Sequence, residues 1–285
     1  IDRRKVDGPD PLTLLGQSSE LAFKDTGVEN IIDYLDAVGV VRFSVDFSTA
    51  TNQSRFGYSN FPRSLAKKLN TNKDILELYS GMGGNAPQVL IQEVSKKIYN
   101  KEVQCALISG GEVLQTMISK LKAGKLLDWE DHPGGSPEII GINEKGFSSD
   151  EKKHFMDLPS NVYPIFANAL RSEKSQTSKE HLKECSELFS KFSKVAEKNS
   201  NSWFPKYRSP EEIEKVTDSN RLVGLPYTKY LNSMIRVNMA SSMIIMSEKL
   251  SKELNISQEK KIYLHGSCIL NDIWNVSKRP KLIES

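Results

Sequence analysis

Apolar residues between positions 74 and 122 follow two alternating patterns. The short apolar or β-branched runs Asp74–Tyr79 and Val103–Ile108 predict strands, the second of them buried. Between them, Asn85–Asn100 spaces its apolar residues as a helix does, at Val89, Ile91, Val94 and Ile98. A further helix is predicted at Glu112–Lys122. This strand–helix–strand–helix order with short turns predicts an α/β layer structure with parallel strands.

The flanking segments predict further elements. Upstream, we expect helices at Pro11–Gly27, Asn30–Ala37 and Pro62–Leu69, a strand at Val38–Val45 and a polar loop at Thr49–Ser59. Downstream, the Gly-, Pro- and Asp-rich stretch Trp129–Pro159 predicts irregular structure, and helices are expected at Val162–Arg171, at Ser178–Lys198 and from Ser209. Apolar residues of the helix Ser178–Lys198 share one face: Leu182, Cys185, Leu188, Phe189, Phe192 and Val195.

The strand signal returns late in the chain. Ala240–Met246 and Lys261–Leu264 predict strands on either side of a charged helix, Ser247–Leu254. We therefore expect three regions: an N-terminal α/β half over 1–129, a mainly helical domain over 130–225, and the start of a second α/β half over 226–285.

Composition and charge narrow the class of protein. The 285 residues are 38% hydrophobic and 26% charged, as in ordinary globular proteins, and the net charge of +3 argues against nucleic acid or an acidic membrane as partner. No run of about 18 apolar residues predicts a membrane span. The start of the chain has neither an initiator methionine nor an apolar signal core.

Cysteine and histidine usage points to no metal site. Cys105, Cys185 and Cys268 are widely spaced and form no CxxC pair, which favours a reducing cytoplasm over a disulfide framework. Cys105 and Cys185 are interpreted as apolar packing residues. The histidines His132, His154 and His181 are placed in a loop or on a polar helix surface, without metal-ligand spacing.

The turn Ser80–Asn85 (SGMGGN) is the strongest candidate for chemistry. It precedes a helix, where unpaired backbone N–H groups and the helix dipole favour an anion or a developing oxyanion. Gly83, Gly84 and Asn85 are therefore candidates for holding a thioester oxygen or a phosphate. The alternative is a purely structural turn with Asn85 as N-cap. His265 follows the predicted strand Lys261–Leu264 and is a second candidate, with a structural histidine as its alternative.

Three separated motifs resemble the thiolase superfamily. They are Gly83–Gln88 (GGNAPQ), Tyr163–Arg171 (YPIFANALR) and Pro226–Lys229 (PYTK). The longer segments Gly83–Glu112 and Ser219–Ile256 are similar to that family's nucleophile turn with its helix and strand, and to its return from the loop domain. The motifs resemble most the thiolase-like branch usually labelled acetyl-CoA acetyltransferase.

The resemblance implies a layered fold of two α/β halves, a loop domain in the first half, and an acyl-CoA thioester as substrate or ligand rather than a cofactor. It also implies a place in lipid metabolism and an incomplete chain, with most of the second half beyond Ser285. The family's cysteine nucleophile falls at Gly84, give or take one position, so acyl-cysteine chemistry is in doubt.

The residue patterns and the resemblance together assign roles to particular residues. Catalysis would involve Asn85, Gly84 and His265. Coenzyme A would be contacted by Gly83 of the turn, and by residues that alternatively serve local packing: Tyr163, Phe166, Trp203, Tyr227 and Lys229.

Two functions follow from this reading. The first is an acyl-CoA acyltransferase that relies on oxyanion stabilisation by the turn. The second is a catalytically inactive acyl-CoA-binding protein that forms a homo-oligomer or supports a partner subunit. A dinucleotide-binding protein is disfavoured, because no GxGxxG follows the first strand.

Overall fold

The computed structural model describes residues 8–47, 55–71, 74–142 and 146–283. Its strands, in chain order, are β1 Ala37–Val40, β2 Arg55–Tyr58, β3 Leu76–Ser80, β4 Cys105–Glu112, β5 Asp128–Asp131, β6 Glu138–Ile140, β7 Leu222–Gly224, β8 Tyr227–Thr228 and β9 Met239–Met246. Its α-helices are α1 Pro11–Thr26, α2 Phe61–Lys68, α3 Ala86–Tyr99, α4 Leu114–Lys122, α5 Ser149–Lys153, α6 Pro159–Glu173, α7 Ser178–Glu197, α8 Pro210–Glu214 and α9 Glu248–Glu253.

Strands from the first part of the chain and the late strand β9 form a five-stranded sheet with the order β6-β3-β1-β4-β9. The pairs β6–β3, β3–β1 and β1–β4 are parallel, and β9 runs antiparallel to β4 over eight residue pairs. β2 and β5 form a separate parallel pair, and β7 and β8 form an antiparallel one. The predicted α/β class with parallel strands is confirmed.

Each face of the sheet is covered by helices. On one face, Val38 and Leu107 pack with Leu15 of α1 and Leu65 of α2. On the other, residues of alternate register such as Leu78, Ala106 and Ile108 pack with Leu90 and Val94 of α3. Successive strand residues point to opposite faces, so nearly continuous apolar strands serve two cores at once.

Local signals in the sequence set the ends of several helices. The Asp10 side chain accepts a hydrogen bond from the Thr13 amide at 2.8 Å and begins α1, which ends at Gly27 in a left-handed conformation. In α7, Thr177 and Glu180 form a reciprocal capping box.

Contacts divide the chain into two units. The sheet unit comprises Asp2–Glu144 and Ile235–Ile269, and the helical unit comprises Lys145–Met234 and Leu270–Ser285. The domain boundaries expected from the sequence stay a prediction.

Several expected strands differ from the observed ones. The strand predicted at Lys261–Leu264 is wrong: this segment is irregular, and Ile262 is 98% exposed. A β-prone run forms a strand only where a neighbouring strand bonds to it. The strand predicted at Val38–Val45 ends at Val40, and the expected loops at Thr49–Ser59 and Trp129–Pro159 contain the short strands β2, β5 and β6. Thr49–Ser54, within the first of these loops, lies outside the described residues.

The helix predicted at Ser178–Lys198 is confirmed, but its orientation corrects two expectations. His181, expected on a polar surface, is 6% exposed, whereas the apolar residues Leu188, Phe192 and Val195 are exposed. Cys185 is partly buried, and its Sγ lies 3.7 Å from Nε2 of His181.

Within the helical unit, Glu151 joins α5 to the segment that follows residue 272. Its carboxylate accepts hydrogen bonds from the amides of Ser277 at 2.8 Å and Ser148 at 2.6 Å, and from Nδ2 of Asn275 at 3.2 Å. The two backbone hydrogen bonds are the main reason that the pKa of Glu151 is lowered to about 2.

This lowered pKa predicts acid release of the segment 275–283. The contribution of Glu151 is fully present above its ordinary pKa and is lost as pH falls toward about 2, because protonation favours the undocked state. Hydrogen exchange of peptides covering 275–283 should therefore accelerate over this range. Glu151→Gln should give the same fast exchange at neutral pH, and Asp150→Asn, at an exposed neighbour, should not. Unchanged exchange in Glu151→Gln would show that the carboxylate does not hold the segment.

Candidate functional site

The turn between β3 and α3 begins at a glycine that the backbone requires. The Gly81 amide donates to the Ile140 carbonyl at 2.8 Å, which extends the β3–β6 pairing into the turn. A Cβ on Gly81 would lie 2.0 Å from the Ile142 carbonyl oxygen, and this clash involves backbone atoms that cannot rotate away. Gly81 therefore permits the close passage of two chain segments where the turn starts.

Beyond Gly81 the turn is open to solvent. Residues 82–85 are exposed, and within the described part of the chain the amides of Gly83, Gly84 and Asn85 donate no hydrogen bond to the protein. The chain then folds back, since the Ala86 amide donates to the Gly83 carbonyl at 3.1 Å and α3 starts. Three amides at the N-terminus of a 14-residue helix offer donors and positive potential to an anion.

Asn85 occupies the N-cap position without capping the helix. Its backbone is already helical, with φ −92° and ψ −7°, and its side chain makes no capping hydrogen bond. A Cβ on Gly83 would lie 2.8 Å from Oδ1 of Asn85, so the carboxamide lies close to the glycine. The side chain of Asn85 is thus available to a ligand at the turn.

Gly84, where the sequence resemblance leads us to expect a nucleophile position to within one residue, has free space around it. A Cβ built there meets no atom within 4 Å, and the residue is exposed. The glycine is therefore not required by packing. At this position the chain has room for a side chain but no nucleophile.

A polar network beneath the turn holds the end of β3. Arg42 donates through its amide to Oγ of Ser80 at 3.0 Å and through Nε to the Ser80 carbonyl at 3.1 Å. Its guanidinium bonds Oδ2 of Asp46 at 2.9 Å and lies 4.1 Å above the ring of Tyr79, whose hydroxyl donates to the same carboxylate at 2.7 Å. Burial, together with the Asp46 charge, raises the pKa of Tyr79 well above its usual range. The phenol therefore stays a neutral donor.

The end of β4 carries a second polar group. Glu112 accepts hydrogen bonds from the amide and hydroxyl of Ser44, at 2.8 and 2.9 Å. Burial raises the pKa of Glu112, and the two bonds from Ser44 oppose that shift. The preceding glycines allow close packing, since a Cβ on Gly110 would lie 2.8 Å from Val41 and one on Gly111 would lie 2.7 Å from the Met239 carbonyl oxygen.

His265 is not brought into this arrangement. It lies in the exposed irregular segment after α9, and no hydrogen bond or ion pair joins it to the turn in the described ranges. Cys268, in the same segment, is exposed. Neither residue is therefore placed at the turn.

The other predicted coenzyme A contacts belong to the helical unit. Tyr163 on α6 is 63% exposed, whereas Trp203 is 5% exposed and packs in the core. Phe166 lies 5.2 Å from the Arg279 guanidinium, and Nζ of Lys229 donates to the Ser219 carbonyl at 3.3 Å. Burial raises the pKa of Tyr227. Their binding role stays a prediction.

The network of Arg42, Asp46 and Tyr79 is not among the sites expected from the sequence. Arg42, Tyr79 and Glu112 lie at or just beyond the carboxyl ends of β1, β3 and β4, which meet at one edge of a parallel sheet. Ligands of open α/β sheets bind outside this edge. Polar residues at successive strand ends were the signal available.

Other site classes find no support within the described ranges. No group of three or more His, Cys, Asp or Glu side chains is arranged to hold a metal ion there. In the same part of the chain, no helix is long and apolar enough to cross a bilayer.

Comparisons with known proteins identify the fold. A monomeric SCP2-thiolase-like protein type 1 from Mycobacterium smegmatis superposes with a TM-score of 0.68 over 93% of this chain and 48% of its own, at 24% identity. The Ltp2-ChsH2(DUF35) aldolase superposes with a TM-score of 0.53 over 87% of this chain and 53% of its own, at 14% identity. This chain has a thiolase-like fold. It spans about half the length of these structures.

Searches at the level of sequence return nothing comparable: no protein-family profile and no curated protein matches the chain. The structural likeness therefore identifies the fold alone. It confirms the thiolase-like layered class, while the acetyl-CoA acetyltransferase branch remains a prediction.

Two glycines of the turn should respond differently to the same substitution. Gly81→Ala should lower the free energy of unfolding by about 2 kcal/mol or more, because its Cβ meets the Ile142 carbonyl. Gly84→Ala should change it by less than about 0.5 kcal/mol, because its Cβ has free space. Denaturant unfolding measures both. Equal losses in the two variants would contradict this geometry.

Proposed function

We propose that the chain binds an acyl-CoA thioester at the Gly83–Asn85 turn through backbone amides, without forming an acyl-cysteine. The observation that carries the proposal is the set of three amides at the start of α3, in exposed residues, for which the described part of the chain supplies no acceptor. A thioester carbonyl oxygen, or the enolate derived from it, is an acceptor that such amides would stabilise. The thiolase-like fold supports an acyl-CoA ligand by analogy.

The chemistry at this turn is polarisation of the thioester. Amides at a helix N-terminus withdraw electron density from the carbonyl and favour negative charge on its oxygen. Because residue 84 is glycine, no thiol can take over the acyl group from sulfur at this position. Acyl transfer of the acetyl-CoA acetyltransferase type would need a different acceptor, and this finer assignment remains a proposal.

A supporting role beside another subunit is the second candidate. It is favoured by the exposed apolar side chains after α9, where Ile262 is 98% and Leu264 is 54% exposed. One structural neighbour, the Ltp2-ChsH2(DUF35) aldolase, is itself an assembly of two proteins. The cytoplasmic location and the place in lipid metabolism stay predictions.

Charge placed at the turn should test the binding proposal. Isothermal titration calorimetry with acetyl-CoA should detect binding to the unmodified chain. Gly84→Asp adds a carboxylate where a Cβ fits without collision, so the dissociation constant should rise roughly tenfold through repulsion. Asn100→Asp adds the same charge at the far end of α3 and should leave binding unchanged.

Two outcomes separate the inactive form of the binding proposal from its catalytic form, and a third rejects the turn as the binding site. Binding without a covalent acyl adduct or thioester turnover supports the inactive form of the proposal. Thioester cleavage that Gly84→Asp abolishes supports the catalytic form. Equal affinities of the Gly84→Asp and Asn100→Asp variants would remove the turn from the site.

A further inference from the structure

Two successive peptide units lead into the turn, and residues outside the turn fix the first of them. The unit that joins Ser80 to Gly81 is held at both ends. Its carbonyl, on Ser80, accepts a hydrogen bond from Nε of Arg42 at 3.1 Å. Its amide, on Gly81, donates to the Ile140 carbonyl at 2.8 Å. In the next unit, the Gly81 carbonyl accepts from Oγ of Ser80 at 2.7 Å. Because each peptide unit is planar, these bonds fix the direction in which the chain enters the turn.

The glycines beyond this point do not fix their own orientation. Gly83 has φ 153°, a conformation that side chains disfavour, and Gly84 follows it without a side chain. In the described ranges the amides of Gly83, Gly84 and Asn85 donate to no protein acceptor. The exit of the turn is held by the start of α3, where the Ala86 amide donates to the Gly83 carbonyl at 3.1 Å. The directions of the three amides therefore depend on how the entry is held.

Arg42 is itself held in place before any ligand arrives. Oδ2 of Asp46 accepts hydrogen bonds from the Arg42 guanidinium at 2.9 Å and from the Tyr79 hydroxyl at 2.7 Å. The guanidinium also lies 4.1 Å from the centre of the Tyr79 ring. The side chains of Arg42 and Asp46 are only 13% and 16% exposed. A flexible side chain is thus ordered by its surroundings, as the support of a binding site requires.

These contacts indicate that Arg42 acts on the turn through Ser80. Its positive charge is paired with the Asp46 carboxylate, and its Nε is bonded to the Ser80 carbonyl. Ser80 is fully buried, so removal of the guanidinium would take a donor from a carbonyl in a buried residue. Such a carbonyl favours reorientation toward another donor or water, because an unpaired buried carbonyl is costly. The peptide units that follow would then lose their fixed direction.

We propose that Arg42 is a positioning residue that orients the amides of Gly83, Gly84 and Asn85 through its bond to the Ser80 carbonyl. The identity of the ligand rests on the proposed function, whereas the order of the amides is a property of the chain alone. A turn that is ordered on folding loses less conformational freedom when a ligand binds. Arg42 therefore raises the affinity for an acyl-CoA thioester without touching it.

Relaxation of the backbone ¹⁵N nuclei in the ligand-free full chain tests the positioning role. The amides of Gly83, Gly84 and Asn85 should have order parameters of about 0.85 in the unmodified chain and below about 0.6 in Arg42→Ala. Arg63→Ala is the matched control, because Arg63 pairs with Glu77 on the same strand, away from the turn. It should leave the three amides rigid. Circular dichroism should show that both variants are folded.

Calorimetric titration with acetyl-CoA measures the consequence for binding. Arg42→Ala should raise the dissociation constant roughly tenfold, and Arg63→Ala should leave it unchanged. Millimolar ethylguanidinium, which replaces the atoms that Arg42→Ala removes, should restore most of the affinity of that variant. Ethylammonium carries the same charge without the planar fork and should not. A general loss of stability would respond to neither ion.

The outcomes separate this inference from the proposed function. If the unmodified chain does not bind acetyl-CoA, the proposed function fails, and the order parameters still decide the role of Arg42. If acetyl-CoA binds and Arg42→Ala leaves both the affinity and the amide order unchanged, the positioning role is wrong and the proposed function stands. Equal loosening of the turn in Arg42→Ala and Arg63→Ala, or an affinity that ethylguanidinium does not restore, would also overturn the positioning role.

Discussion

Parallel pairing of β1 with β3 on one side and β4 on the other is the constraint on which the candidate site depends. Val40, the last residue of β1, lies opposite Tyr79 and Ser109, one residue before the end of β3 and three before the end of β4. Arg42, Gly81 and Glu112 therefore lie toward one edge of the sheet. Helices on both faces bury the strands, which leaves this edge as the place where polar groups gather.

The contacts beneath the turn hold it in place, and the exposed residues at its tip leave the backbone amides open to a ligand. Arg42 and Ser80 bind each other through backbone and side-chain groups, and Gly81 admits the passing Ile142 backbone. Beyond these contacts, Gly83 and Gly84 expose their amides. Donors that are fixed in place need little reorganisation when charge develops on a bound carbonyl oxygen. The proposed site is therefore a preorganised anion-binding turn rather than a nucleophile.

Much of the fold was predictable because its signals are local. Helix α3 is marked by its apolar spacing and a proline in its first turn, and strand β4 by a continuous apolar run. Each signal lies within one short segment, and both elements are observed nearly as expected. Lys261–Leu264 has strand-forming residues, but within the described ranges no strand pairs with it and the segment is irregular. For α7, the pattern predicts a helix, but which of its faces is buried also depends on distant contacts, such as the hydrogen bond from Oγ of Ser190 to the carbonyl of Arg208, 18 residues away.

The candidate site was predictable only in part for the same reason. Glycines before a helix mark the turn locally, whereas the contacts of Arg42 with Ser80 span 38 positions and those of Ser44 with Glu112 span 68. Such pairings follow from the order of strands in the sheet. They can be predicted only when that order is known, because neither the residue types nor their spacing in the sequence indicates which residues pair.

The central claim is that the amides of Gly83, Gly84 and Asn85 receive the ligand. Assigned backbone ¹⁵N–¹H resonances, followed while acetyl-CoA is added to the full chain, measure this directly. The account predicts that these three signals move or broaden saturably, ahead of signals from the far end of α3 near Asn100. Saturable shifts elsewhere, with these three signals stationary, would contradict it.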